Sequence, residues 1–145
     1  MHKILRKSRF ALAAVALIAG IFAGSAGIAT AGEIKVNLSG DQEVPPVKTG
    51  ASGSGTITVD DDKSVKGKIT TSDIKATGVH IHEGASGKTG SDIITLKKTG
   101  DNEWSVPPGA KLTDAQYDAF KAGGLYINVH SDINKAGEIR GQLKR

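Results

Sequence analysis

The chain has 145 residues, no cysteine, four histidines and a formal net charge of +4. Four of its 19 basic residues (Lys3, Arg6, Lys7 and Arg9) sit in the first nine positions, and no acidic residue precedes Glu33, so from residue 32 onward 15 charges of each sign cancel. That balance argues against a nucleic-acid or anionic-membrane partner. The absence of cysteine removes disulfides and thiolate metal sites, and Met1, the single methionine, leaves no thioether ligand behind it.

The basic start is followed by an apolar run over residues 10–22, and Ala29-Thr30-Ala31 offers the small-x-small pattern that a signal peptidase cuts. Residues 1–31 are therefore predicted to be a signal peptide, so the membrane is met only through that segment during export. The mature protein is then periplasmic or secreted. An uncleaved anchor is the competing reading, since small and apolar residues continue to Ile28. Residues 32–145 are enough for one domain with a modest core.

Within that domain, Glu33-Ile34-Lys35-Val36-Asn37-Leu38-Ser39 alternates polar and apolar residues and predicts a half-buried strand. Val44-Pro45-Pro46 cannot donate to a central ladder, so residues 41–46 read as an edge or a loop. The glycine-rich residues 50–55 read as a loop and a weakened strand start before residues 56–59. Asp60-Asp61-Asp62-Lys63 is a hairpin turn into residues 64–71, because its spacing lacks the alternation and the distal glutamate of a calcium loop.

Residues 92–98 predict one strand with Ile94 and Leu96 inward, and Glu103-Trp104-Ser105-Val106 predicts another with Trp104 in the core. Thr113-Asp114-Ala115-Gln116 is a capping box that opens a helix of about two turns, ended by Gly123-Gly124. Residues 125–131 and 138–143 form a closing hairpin. About seven or eight short strands with one short helix predict an all-β fold, an antiparallel Greek-key β-sandwich.

Histidines are where the pattern turns to chemistry. In Gly78-Val79-His80-Ile81-His82-Glu83-Gly84, His80 and His82 share one face of a strand while Val79 and Ile81 share the other. Leu125, Ile127 and Val129 alternate in the same way against Tyr126, Asn128 and His130. Two histidines at i and i+2 have Cα atoms about 6.5–7 Å apart, close enough for both rings to reach one ion at about 2.0 Å.

His130 from a neighbouring strand would complete three nitrogen ligands, a set that suits copper or zinc. Glu83 and Glu138 are candidates for a fourth ligand or for a carboxylate that fixes an imidazole tautomer. The fork of Arg140 is expected to pin a carboxylate or a loop carbonyl. Gly87-Lys88-Thr89 is not a phosphate loop, because His82 stands where its first glycine should be.

Five stretches in order resemble the CHRD domain, first described in chordin and also found in exported bacterial proteins. They are Ser39-Gly40-Asp41-Gln42-Glu43-Val44-Pro45-Pro46, Val79-His80-Ile81-His82-Glu83-Gly84, Leu112-Thr113, residues 123–130, and Gly137-Glu138-Ile139-Arg140-Gly141-Gln142-Leu143. The resemblance covers residues 32–145. It implies an immunoglobulin-like or superoxide-dismutase-like sandwich and no agreed activity.

Locally, Gly78-Val79-His80-Ile81-His82-Glu83 also resembles the copper strand of copper/zinc superoxide dismutase, and Val129-His130 resembles the strand that supplies that enzyme's later copper histidine. The bridging histidine, the zinc-loop histidines and the cysteine pair of that enzyme have no counterpart, and no active-site arginine can be matched. The expectation is therefore an exported metal-binding protein that is not an enzyme, with any dismutase-like redox activity weak. The alternative is a structural or protein-interaction module of the cell exterior with no metal, its protein partner unspecified.

Overall fold

The computed structural model describes residues 32–145, and the predicted signal peptide, residues 1–31, lies outside them. The described residues form an all-β antiparallel sandwich with one short helix. Strands β1 (Glu33–Ser39), β2 (Ser52–Val59) and β3 (Val65–Ser72) make a meander, which β7 (Glu103–Ser105) and β6 (Lys97–Gly100) extend beyond β3. In the other half, β9 (Ile139–Leu143) pairs with β8 (Leu125–Ser131), β8 with β4 (Ala76–Glu83), and β4 with β5 (Asp92–Thr95). A single paired position, Ser39 opposite Arg140, joins β1 to β9. The sheet folds at that narrow seam, and the inner faces of both halves share one core.

The short connection from β3 to β4, residues 73–75, and the long one from β7 to β8, residues 106–124, which carries the helix, take the chain between the halves, which is how the Greek-key order arises. On the side away from the seam the sandwich nearly closes. Strands β5 and β6 are separated only by Leu96, which is buried at 3 % exposure and whose amide donates to the Val79 carbonyl at 2.9 Å. The single strand predicted over residues 92–98 is therefore two, because the chain steps at Leu96 from the edge of one half to the edge of the other.

Alternation decides what is inside. Ile34, Val36 and Leu38 of β1 are buried while Glu33, Lys35 and Asn37 are exposed, and Val79, Ile81, Ile127 and Val129 continue the inward-facing apolar set through β4 and β8, although the alternate residues Tyr126 and Asn128 of β8 are buried too. Each such side chain contributes about 1.5–3 kcal/mol relative to an exposed position. Trp104 is in the core as predicted.

The glycine-rich stretch is more ordered than predicted, since Ser52–Val59 is one strand in register with both neighbours. The reason is packing. A Cβ on Gly53 would lie 3.3 Å from Ile139 Cδ1 and 3.4 Å from Leu38 Cβ, so the missing side chain makes room for two large aliphatics.

The helix α1 (Asp114–Lys121) begins at the predicted capping box. Thr113 Oγ1 accepts from the Gln116 amide at 3.2 Å, and Gln116 Oε1 accepts from the Thr113 amide at 2.9 Å. Phe120 anchors the helix to the core, and Gly123 at φ +76° ends it. Residues 41–46 form a 3-10 turn and a loop, consistent with their prolines.

Candidate metal centre

The outer face of the β4–β8–β9 layer is laid out in cross-strand rows. Residues directly opposite each other on antiparallel strands present side chains to the same face. His80 stands opposite Asn128, which stands opposite Arg140, and His82 stands opposite Tyr126, which stands opposite Gln142. His130 stands opposite Gly78, where no side chain competes for space. The three histidines of the described residues thus meet on one patch, with ring centroids 4.9 Å apart for His80 and His130, 5.8 Å for His80 and His82, and 6.0 Å for His82 and His130.

One ligand nitrogen from each ring lies within 4.8 Å of those of the other two. Three imidazole nitrogens on one ion at about 2.0 Å would be roughly 3.3–3.5 Å apart, so small ring movements close the set. The nitrogens that face this point are identifiable. His82 Nδ1 lies 3.1 Å from the Gly90 carbonyl oxygen, and His130 Nδ1 lies 2.9 Å from the Lys135 carbonyl oxygen.

A carbonyl only accepts, so both Nδ1 atoms carry a proton, and in the neutral form of each ring it is Nε2 that offers the lone pair. His82 Nε2, His130 Nε2 and His80 Nδ1 are buried without a protein partner. Burial holds His80 below the ordinary histidine value, with the charge of His130 adding to it. Burial also lowers His82, ahead of the opposing effect of its bond to Gly90. Neutral imidazoles are the form that ligates metal.

Loops cover this face, so its polar residues are buried as deeply as many core residues. Arg140 is 1 % exposed and Tyr126 and Asn128 are each 3 % exposed. Asn128 Nδ2 donates to Glu43 Oε1 at 2.7 Å, tying the 41–46 loop to β8. Glu43 is raised above the ordinary carboxylate value by burial, against the lowering effects of Asn128 and Arg140. Arg140 does pin a loop, donating from Nη1 to the Lys88 carbonyl at 2.6 Å and from Nη2 to the Ala85 carbonyl at 3.0 Å.

The two glutamates singled out in the sequence occupy other places. Glu83 shares its side of β4 with Val79 and Ile81 and is exposed. Glu138 is buried and accepts from Thr49 Oγ1 at 3.0 Å. The acceptors that fix the tautomers of His82 and His130 are instead the backbone oxygens of Gly90 and Lys135. A backbone oxygen has no residue-type signature, so neither could be found from sequence. Asn128, Tyr126 and Gln142 did carry a signal, because they fall on the polar alternation of their strands.

Fold and site together define a class, an all-β sandwich with a histidine cluster on the outer face of one layer that could hold a metal ion. The sequence model of the CHRD domain matches residues 34–143, and the chain belongs to the CHRD-domain family. The matched segment spans β1 through β9, so it includes the whole of this face. No curated protein and no solved structure matches the chain.

Proposed function

We propose that the mature domain is an exported, non-enzymatic metal-binding protein that takes one copper(II) or zinc(II) ion through His80, His82 and His130. The observation that carries this reading is the set of three buried ring nitrogens without a protein partner, one per histidine, two of them left as lone pairs by the protonation of the opposite nitrogen. A buried polar atom without a partner costs about 1–3 kcal/mol, and three such atoms converging on one point have no stabilising role within the protein alone. A divalent ion would accept all three lone pairs.

Nitrogen-only ligation favours copper over zinc in intrinsic affinity. The local likeness to the copper strand of superoxide dismutase points the same way. Ligation here would use His80 through Nδ1 and the other two through Nε2.

Calorimetric titration of residues 32–145 with Cu(II) and with Zn(II) tests the reading. Stoichiometric one-to-one uptake is expected, lost in both His80→Ala and His130→Ala, which alter different strands. Uptake that is absent, or unchanged in both variants, would sink it. The protein would then be read as an interaction module of the cell exterior whose histidines serve only to tie down the 84–90 and 132–137 loops.

A further inference from the structure

Of the three histidines, His82 is the one built into a larger assembly. Its ring lies parallel to that of Tyr126, with an interplanar angle of 6° and centroids 4.9 Å apart. The guanidinium of Arg140 lies against the Tyr126 ring, with Cζ 3.5 Å from the centroid. Arg140 also holds the 84–90 loop at the Ala85 and Lys88 carbonyls, and Gln142 Nε2 holds it at the Gly84 carbonyl, 2.7 Å away. The loop returns to its start at Gly90, whose amide donates to Tyr126 Oη at 3.1 Å and whose carbonyl accepts from His82 Nδ1 at 3.1 Å.

The loop reaches this position only because two residues lack side chains. A Cβ on Gly90 would overlap the Glu83 carbonyl oxygen, and a Cβ on Gly84 would come within 2.9 Å of Tyr126 Cε1. The sequence Gly84-Ala85-Ser86-Gly87-Lys88-Thr89-Gly90, which lacks the spacing of a phosphate loop, thus has a structural role.

We propose that Tyr126 and Arg140 are positioning residues for His82. With the backbone of the 84–90 loop they hold its imidazole in one orientation and one tautomer, so that Nε2 faces His80 and His130 before any metal arrives. The proposal rests on the metal-site reading and names the residues that set the geometry of that site. The physical reasoning is preorganisation. A free imidazole samples two tautomers and rotates about two bonds, and each alternative that must be frozen on binding weakens the complex. Outer groups that orient a ligating histidine typically change metal affinity by about 10–100-fold.

The test uses Tyr126→Phe, which keeps the stack and removes only the hydroxyl bonded to Gly90, and Arg140→Lys, which keeps the charge and loses the fork. Two quantities are measured on residues 32–145: the ¹⁵N shifts of the His82 ring in metal-free protein, which report the tautomer, and the affinity for Cu(II) and Zn(II). The wild type is expected to show one tautomer with the proton on Nδ1. Arg140→Lys is expected to show mixed tautomers and an affinity about 10–100-fold lower, and Tyr126→Phe a smaller change in the same direction. Ile57→Val, a core change in the opposite half, should lower the melting temperature and leave the His82 ring signals unchanged, which separates positioning from general destabilisation.

If Arg140→Lys does not fold, Tyr126→Phe decides alone. Retention of a single tautomer in the folded variants overturns the proposal, as does an affinity within twofold of wild type in a protein that binds metal. A wild type that takes no metal, with the tautomer still lost in the variants, would leave positioning intact and remove the metal-binding reading instead.

Discussion

The two faces of the β4–β8–β9 layer are both buried, yet they are buried by different means. On the inner face Val79, Ile81, Ile127 and Val129 are packed against the opposite half of the sandwich, where no atom needs a specific partner. On the outer face Asn128, Tyr126 and Arg140 are covered by three loops, and most of their polar atoms are satisfied one by one through named hydrogen bonds. The inner face depends on volume, and a substitution there costs what the lost contacts and the cavity cost. The outer face depends on pairing, and a substitution there costs what the abandoned partner loses. Of these two faces only the outer one leaves buried side-chain polar atoms unpaired, one ring nitrogen on each of the three histidines and the oxygen Asn128 Oδ1; in the other half of the sandwich, among the described residues, Trp104 Nε1 is also without a partner.

The comparison is most directly broken by Ile127→Ala, a change on the inner face. It is expected to reduce stability by about 2–5 kcal/mol in chemical denaturation while the folded fraction keeps its metal stoichiometry. A cost below about 1 kcal/mol would mean that the inner face is not what holds the layer.

Asn128→Ala probes the outer face. It leaves the buried Glu43 carboxylate without its amide donor, and a loss of about 1–3 kcal/mol is expected. Adding Glu43→Leu should recover part of that loss, because both members of the pair are then gone. A double variant less stable than Asn128→Ala would show that the pair is not the relevant unit.

Thr113→Ala lies on neither face and calibrates the scale. Loss of the capping hydroxyl is expected to cost about 1 kcal/mol without affecting the His82 ring signals. A change in those signals would mean that helix and metal centre are coupled.

The smallest effect is the pH dependence of metal-free stability. His80 and His82 have folded values lowered by burial, so below about pH 6.5 the unfolded chain takes up protons that the folded chain refuses. Their contribution is complete above that value, and stability falls as the pH drops toward their folded values. Glu43, raised by burial, has the opposite sign, with a contribution present below its unfolded value near 4.5 and lost as pH rises through the folded one. Denaturation midpoints against pH should therefore lose the part of their acid-side fall that begins near pH 6.5 in His80→Gln/His82→Gln and show a steeper fall in Glu43→Gln. Unchanged profiles in both would remove these groups as the source of the slope.

Much of the fold was legible because strand alternation and the capping box are local. Ile34, Val36 and Leu38 point inward for the same reason that Val79 and Ile81 do, and Thr113 caps its helix through an atom three residues away. What was misread involved distant chain. The break at Leu96 exists because two sheet edges meet there, and β2 runs through its glycines because Leu38 and Ile139 fill the space above Gly53. Glu83 and Glu138 were reasonable candidates by residue type. The atoms that hold His82 and His130 are backbone oxygens of loops, which residue type cannot flag.

By itself the sequence determined which histidines share a face, because side-chain direction in a strand follows from a two-residue period. It also determined that any metal bound there would have nitrogen and oxygen ligands alone, since the domain contains no sulfur. Only the tertiary structure decided that β4 and β8 lie side by side in a register that places His130 next to His80. It alone decided too that three loops close over the polar face and set the tautomers of two imidazoles. Register and loop closure are fixed by contacts between residues tens of positions apart, whose energies are summed over the whole fold and leave no mark in any local stretch of sequence.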